Sequence, residues 1–232
     1  MIISHAHKFI FLKTQKTGGS SVQLALSEIC GPEDVVTALP AEDMDFGRGS
    51  GPRNIEVPEA YVPLHARVQA RLGRRPSRVG LAYHQHMNAA WVRKSMNPEK
   101  FDAYTKVSIV RNPWDREVSL YYWAIRNDPT PPEFDKFVRR SVRRPERKTF
   151  EVYSINGVPV FDIMMRYETL EEDFRAFVNT LKVPNLPTLP RAKGAYRKPT
   201  TRDYRELFTD ETKELVRKRN AREIDLFQFR FD

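Results

Sequence analysis

Residues 8–21, KFIFLKTQKTGGSS, constrain the fold more than any other stretch of the chain. The run Phe9–Leu12 is apolar and rich in aromatic and branched side chains, which predicts a buried strand. Val22, Leu24, Ala25, Leu26 and Ile29 then recur at helical spacing, so the unit reads as strand, glycine-containing loop, helix. Such a unit points backbone N–H groups and the positive end of a helix at one spot, which makes an anion site. The strict phosphate-loop pattern GxxxxGK[ST] is not met. It requires glycine at positions 10 and 15, where the chain has Ile10 and Gln15, and Gly18 and Gly19 follow Lys16 instead of preceding it. A Gly-Gly helix entry beside an incidental lysine is the alternative reading of these residues.

Further elements follow the same logic. RVGLAYHQH, residues 78–86, predicts a second strand whose end delivers His84 and His86, with a helix over about 88–97. KVSIV forms a third strand that runs directly into RNPWDR, and Val118, Tyr121, Tyr122 and Ile125 give the stretch from Asp115 to Arg126 one apolar helical face. FDIMMRYETL supplies a fourth strand and turn, and EEDFRAFVNTL an amphipathic helix. Thr209, followed by Asp210 and Glu211, reads as the cap of a last helix. Residues 64–73 look weakly helical, and Pro184 to Pro199 a loop. Residues 31–63 hold Pro32, Pro40, Pro52, Pro58 and Pro63 with Gly47, Gly49 and Gly51, and are read as an irregular surface insertion near the site mouth, with disorder the alternative. Strands alternating with helices predict one α/β domain over residues 1–232, a P-loop-like central parallel sheet flanked by helices on both faces.

Charge narrows the partners. Lys and Arg number 39 against 30 Asp and Glu, a net +9, and 26 of the 39 are Arg. A guanidinium presents a planar fork that matches phosphate or sulfate oxygens in pairs, so an anionic partner is expected. Charge alone leaves nucleotide, nucleic acid, acidic glycan and membrane surface open. The single cysteine, Cys30, excludes an internal disulfide and a Cys-based metal site. No apolar run approaches the roughly 18 residues of a membrane span, and Phe9–Leu12 is too short for a signal-peptide core, so a soluble, cytoplasmic chain is expected.

Arg111 ends the KVSIV strand at the carboxyl edge of the sheet, where ligands of open α/β folds bind. A nucleotide triphosphatase would place a carboxylate there to hold Mg²⁺, whereas a guanidinium engages an anion directly. Ser119, eight residues on, would offer a hydroxyl to the same anion. The structural alternative is that Arg111 pairs with Asp115 and that Ser119 is a small helix residue.

Taken together, KTGGSS, RNPWDREVSLY (Arg111 to Tyr121), HQH, RYETLEEDF (Arg166 to Phe174) and DLFQFRF (Asp225 to Phe231) resemble, in order and over nearly the whole chain, the sulfotransferases that use 3′-phosphoadenosine 5′-phosphosulfate (PAPS). Within them the likeness is to the carbohydrate type that includes heparan sulfate 2-O-sulfotransferases. The resemblance implies that the backbone amides of Gly18, Gly19, Ser20 and Ser21, with the hydroxyls of Thr17, Ser20 and Ser21, cradle the 5′-phosphate. It implies that Lys16 meets the bridging oxygen of the phosphosulfate, and that Arg111 and Ser119 bind the 3′-phosphate. His86, matching the second His of the family's HGH, is then the candidate general base, with His84 in support. A pair of histidines two apart on a strand shares a face without requiring catalysis, and Gln85, where the family has glycine, adds a side chain expected on the opposite face. Which His acts, or whether a carboxylate does, stays open at this point.

Lys193 and Gly194, in AKGAYRKPTTRDYRELFT, loosely resemble the region with which cytosolic sulfotransferases close over the 3′-phosphate, although Ala192 replaces an Arg. Lys136, Arg139, Arg140, Arg143, Arg144, Arg147 and Lys148 form the densest basic run, read as a solvated face or as a docking strip for an acidic glycan acceptor. No Asp/Glu cluster has metal-ligand spacing, so no metal is expected. The expected reaction moves a sulfuryl group to a hydroxyl, leaving 3′-phosphoadenosine 5′-phosphate (PAP). The rivals are a P-loop-like kinase and a polyanion- or nucleic-acid-binding module, the latter carried by the net charge alone.

Overall fold

The computed structural model describes residues 1–40, 49–64, 82–144, 149–190 and 203–231. Seven strands, β1 Ile2–Ser4, β2 Phe9–Leu12, β3 Val35–Val36, β4 Thr105–Val110, β5 Ser154–Ile155, β6 Val158–Pro159 and β7 Ile163–Arg166, form two sheets. The main sheet has the order β3-β1-β2-β4-β7, and β5 and β6 make a small hairpin. The α-helices among the described residues are α1 Gly19–Ser27, α2 Ala89–Lys94, α3 Pro98–Ala103, α4 Pro113–Ile125, α5 Phe134–Ser141, α6 Leu170–Thr180, α7 Asp210–Arg219 and α8 Ala221–Phe227.

The parallel core is as expected: β2, β4 and β7 run parallel, Phe9 opposite Thr105 and Val107 opposite Ile163. All four residues of β2 are fully buried, as they must be when helices cover both faces. Phe9 and Phe11 face α1 and α6, meeting Val22, Leu26, Phe174 and Phe177. Ile10 and Leu12 face the other layer, with Met87, Val92 of α2 and Phe101 of α3. A third apolar cluster joins α4 and α5 to Val216 of α7 and to Phe229.

Three expectations need correction. The sheet is mixed, because β1 pairs antiparallel with both β2 and β3. Only His5–Lys8 separate β1 from β2, with Lys8 at φ 55, and a connection that short can only reverse the chain. Residues 31–63 are not simply a surface excursion: β3 lies at the sheet edge, and Val36 bridges Arg53. Finally, HQH does not end a strand of the sheet. Ala82 makes an isolated bridge to Glu56, Tyr83 N–H bonds the Ile55 carbonyl, and the chain then turns, Met87 N–H donating to the His84 carbonyl. The expected helix at 64–73 falls almost wholly outside the described residues, as do residues 78–81 of the expected second strand. Among the described residues no helix is long and apolar enough to cross a membrane.

Candidate functional site

The carboxyl ends of β2, β4 and β7 bring Lys13, Arg111 and Tyr167 to one edge. β2 leads into the loop Thr14–Gly18 and then into α1. Helices α2, α3, α4 and α7 are each capped by an Asn or Thr side chain, but α1 is entered through Gly18 and has no side-chain cap. Helices α5, α6 and α8 lack one too, and Ser21 N–H donates to the Gly18 carbonyl at 3.1 Å, so what favours an anion at this turn is the positive end of α1 beside the glycine loop. Gly18 sits at φ 80, where other residues are strained, and a Cβ there would lie 2.8 Å from Leu170 Cδ2. A Cβ at Gly19 would lie 2.9 Å from Lys13 Cγ, so the lysine stem crosses directly beneath the loop.

The loop is braced from below. Thr14 Oγ1 donates to the Ile109 carbonyl at 2.6 Å and lies 2.8 Å from Thr17 Oγ1. Thr17 is fully buried, and its hydroxyl is turned to Thr14, donating to the Thr14 carbonyl at 3.4 Å. Lys16 adopts φ 58, a left-handed conformation uncommon for a residue with a side chain. Its carbonyl accepts from Arg111 Nη1 at 3.0 Å, and its ammonium lies over the Trp123 ring, 5.5 Å from the centroid. Arg111 is 4% exposed; Nε donates to Asp115 Oδ2 at 2.7 Å, and the guanidinium stacks 3.8 Å from the Tyr167 ring. The Asp115 pairing weighed from sequence is thus present, and two of the fork's three nitrogens are committed to the protein. Nη2 has no hydrogen-bond partner among the described residues. Ser119 is half-buried on α4.

The two histidines part company. His84 is exposed, whereas His86 turns inward, and its Nδ1 lies 2.9 Å from the Lys13 carbonyl. A carbonyl only accepts, so Nδ1 carries the hydrogen and Nε2 keeps its lone pair. Burial, and then the Lys13 charge, push the His86 pKa down to about 3, so the ring is neutral. Gln85, expected on the opposite face, instead accepts from Lys13 Nζ at 2.9 Å, and the same ammonium donates to Ser20 Oγ at 3.1 Å. Lys193 and Gly194 lie outside the described residues.

RYETL braces the site. Glu168 Oε1 accepts from Asn112 N–H at 3.1 Å, and Arg166 donates to the Phe227 carbonyl at 2.6 Å. Sequence reasoning gave no role to Lys13, Tyr167 or Trp123. Lys13 carried one usable signal, its place directly after the strand. A separate cavity of about 660 Å³, lined by Ile3, His5, Tyr61, Tyr83 and Lys100 among others, touches none of the loop residues. Among the described residues no three His, Cys, Asp or Glu are grouped to hold a metal ion.

A family model described as "Sulfotransferase family" matches residues 1–230. No curated protein matches the chain by sequence. Among solved structures, mouse sulfotransferase SULT7A1 complexed with PAP is similar with a TM-score of 0.50 and 13% identity, over 95% of this chain and 86% of that one. A sulfotransferase from Alicyclobacillus acidocaldarius aligns over 97% of this chain and 96% of that one, with 16% identity and a TM-score of 0.44.

Proposed function

The chain belongs to the sulfotransferase family, and from that premise we propose that it transfers a sulfuryl group from PAPS to a hydroxyl of a carbohydrate acceptor, with His86 as general base. PAPS supplies a sulfuryl group activated on a phosphate. The positive end of α1 and the glycine loop that enters it suit its 5′-phosphate, and Lys16 suits the oxygen on which charge grows as the S–O bond breaks. Arg111 Nη2 and the Ser119 hydroxyl suit the 3′-phosphate. PAP bound to the mouse SULT7A1 structure, which shares this fold, is consistent with that nucleotide class.

His86 carries the reading. Its Nδ1 hydrogen is held by the Lys13 carbonyl, which leaves Nε2 as the proton acceptor beside the anion loop. A positioned base is typically worth ~10² to 10⁴ in rate when its pKa lies near the working pH, so with the His86 pKa at about 3 this role requires the bound anionic cofactor to raise it. The RNPWDREVSLY segment and exposed Lys136, Arg140, Arg143 and Arg144 on and just beyond α5 support an acidic glycan as acceptor, of the heparan sulfate 2-O type.

The test is transfer of label from PAPS to a panel of glycans, phenols and alcohols, alongside PAP-induced thermal stabilisation. Transfer to a glycan that His86→Ala abolishes, with PAP binding intact, is the expected result. A failure of both transfer and stabilisation overturns the reading, and turnover retained in His86→Ala removes His86 from the base role.

A further inference from the structure

Lys13 belongs neither to the loop amides nor to the candidate base, yet it touches both. It directly follows β2 and is only 3% exposed, an unusual place for an ammonium. Its stem passes under Gly19 so closely that a Cβ there would lie 2.9 Å from Cγ. Its Nζ donates at 3.1 Å to Ser20 Oγ, in the first turn of α1, and at 2.9 Å to Gln85 Oε1, the residue before His86. Its own carbonyl, 2.9 Å from His86 Nδ1, receives the imidazole hydrogen. One residue therefore grips the anion loop with its side chain and the His-bearing turn with both side chain and backbone.

We infer that Lys13 is a positioning residue that couples the anion loop to the base: its ammonium ties Ser20 to Gln85, and this tie keeps His86 docked on the Lys13 carbonyl with Nε2 free to take a proton. The coupling has a direction. The 84–87 turn lies outside the sheet; Met87 fixes its far side in the core, and its tie to the strand end is through Lys13, by the Gln85 contact and the His86 bond together. An anion seated on the first turn of α1 bears on Ser20 and on the Lys13 charge, and the same ammonium transmits that to Gln85 and His86. What the coupling serves rests on the sulfuryl-transfer reading; the tie itself does not.

The experiment uses the full chain labelled with ¹⁵N-histidine, the His86 ring signals being assigned with His86→Gln. The wild-type protein is expected to show one His86 tautomer, protonated at Nδ1, and to shift those signals when PAP is added. Lys13→Met and Gln85→Leu cut the tie from opposite ends. Both should give averaged ring shifts, bind PAP within about tenfold of wild type because Lys16 and Arg111 remain, and lower labelled-sulfate transfer by about 10²-fold, as for a misplaced base. Lys13→Arg and Gln85→Glu should each restore the single tautomer. Should Lys13→Met fail to fold, Gln85→Leu, in a half-buried turn, decides alone.

A single Nδ1-protonated tautomer and a full PAP response in Gln85→Leu would overturn the inference. If the wild-type protein binds no PAP, the nucleotide reading fails, while the tautomer comparison in the unliganded proteins still decides whether Lys13 positions His86.

Discussion

Replacing Gly18 by Ala tests whether the loop geometry is a requirement of the fold or an accident of it. Two costs are separable. At φ 80 an L-residue pays about 1–2 kcal/mol for the left-handed conformation. The new methyl would also lie 2.8 Å from Leu170 Cδ2, and relieving such overpacking typically costs about 1–3 kcal/mol. The sum, about 2–5 kcal/mol, corresponds in a chain of this size to a fall in Tm of about 4–20 °C. A double-mutant cycle separates the parts: in a Leu170→Ala background the steric part is gone and Gly18→Ala should cost only about 1–2 kcal/mol. Tyr167, which supports Arg111, stands 3.5 Å from the same methyl position, so Gly18→Ala should also weaken PAP binding, with partial recovery in the double mutant. Urea denaturation gives the energies and calorimetric titration the affinities. Equal costs in the two backgrounds, a coupling below about 0.5 kcal/mol, would refute the steric argument.

Glu223→Gln should destabilise the protein by about 3–5 kcal/mol, because it strips the charge partner 2.7 Å from buried Arg116 while leaving the Tyr153 hydroxyl an acceptor; a Tm within 2 °C of wild type would contradict this. His86 gives a pH signature. Its folded pKa, lowered to about 3 by burial, lies below the ordinary 6.5, so the unfolded chain binds the extra proton between those values and stability falls as pH drops from 6.5 towards 3. At pH 5 this amounts to about 2 kcal/mol at most, visible as a smaller loss between pH 7 and pH 5 in His86→Gln than in wild type, and equal losses in the two would refute it. Arg111→Lys keeps the charge but not the fork that reaches Asp115 and the Lys16 carbonyl together, so PAP affinity should fall at least tenfold; unchanged affinity in a titration would show that the fork is dispensable.

The parallel core was legible because FIFL, KVSIV and DIMMR are apolar runs long enough to declare themselves, and each ends on a residue that the fold uses: Lys13, Arg111 and Tyr167. Strands β1 and β3, of three and two residues, are too short to show any period. Their place is set by pairing, which only the assembled sheet supplies. The segment 81–86 misled for a related reason. Leu81, Ala82 and Tyr83 look like a buried strand, and Tyr83 is indeed in the core, yet it gets there from a turn laid over the sheet and not from within it. The orientation of Gln85 followed that error, since alternation holds only inside a strand. The loop and the helix it enters were readable from local order, glycine then helix. The Lys13 contact was not, because its partner Gln85 is 72 residues away and nothing in either residue type announces the other.

Arg111 shows why two readings of one residue need not compete. Sequence alone set a loop staple against a phosphate ligand, and the structure displays the staple, with Nε on Asp115 and Nη1 on the Lys16 carbonyl. A guanidinium has five donors, so bonds from two nitrogens leave the third for an outside oxygen. The staple also serves the ligand role. Lys16 is held at a φ of 58 that a lysine would otherwise leave, and the bond from Arg111 to its carbonyl is one of the contacts that oppose its relaxation. The residue expected to meet one end of the nucleotide therefore fixes the backbone of the residue expected to meet the other. The stack on Tyr167 in turn fixes the guanidinium plane. Preorganisation of this kind removes the ordering cost from the moment of binding, so it would favour a multiply charged anion at this edge.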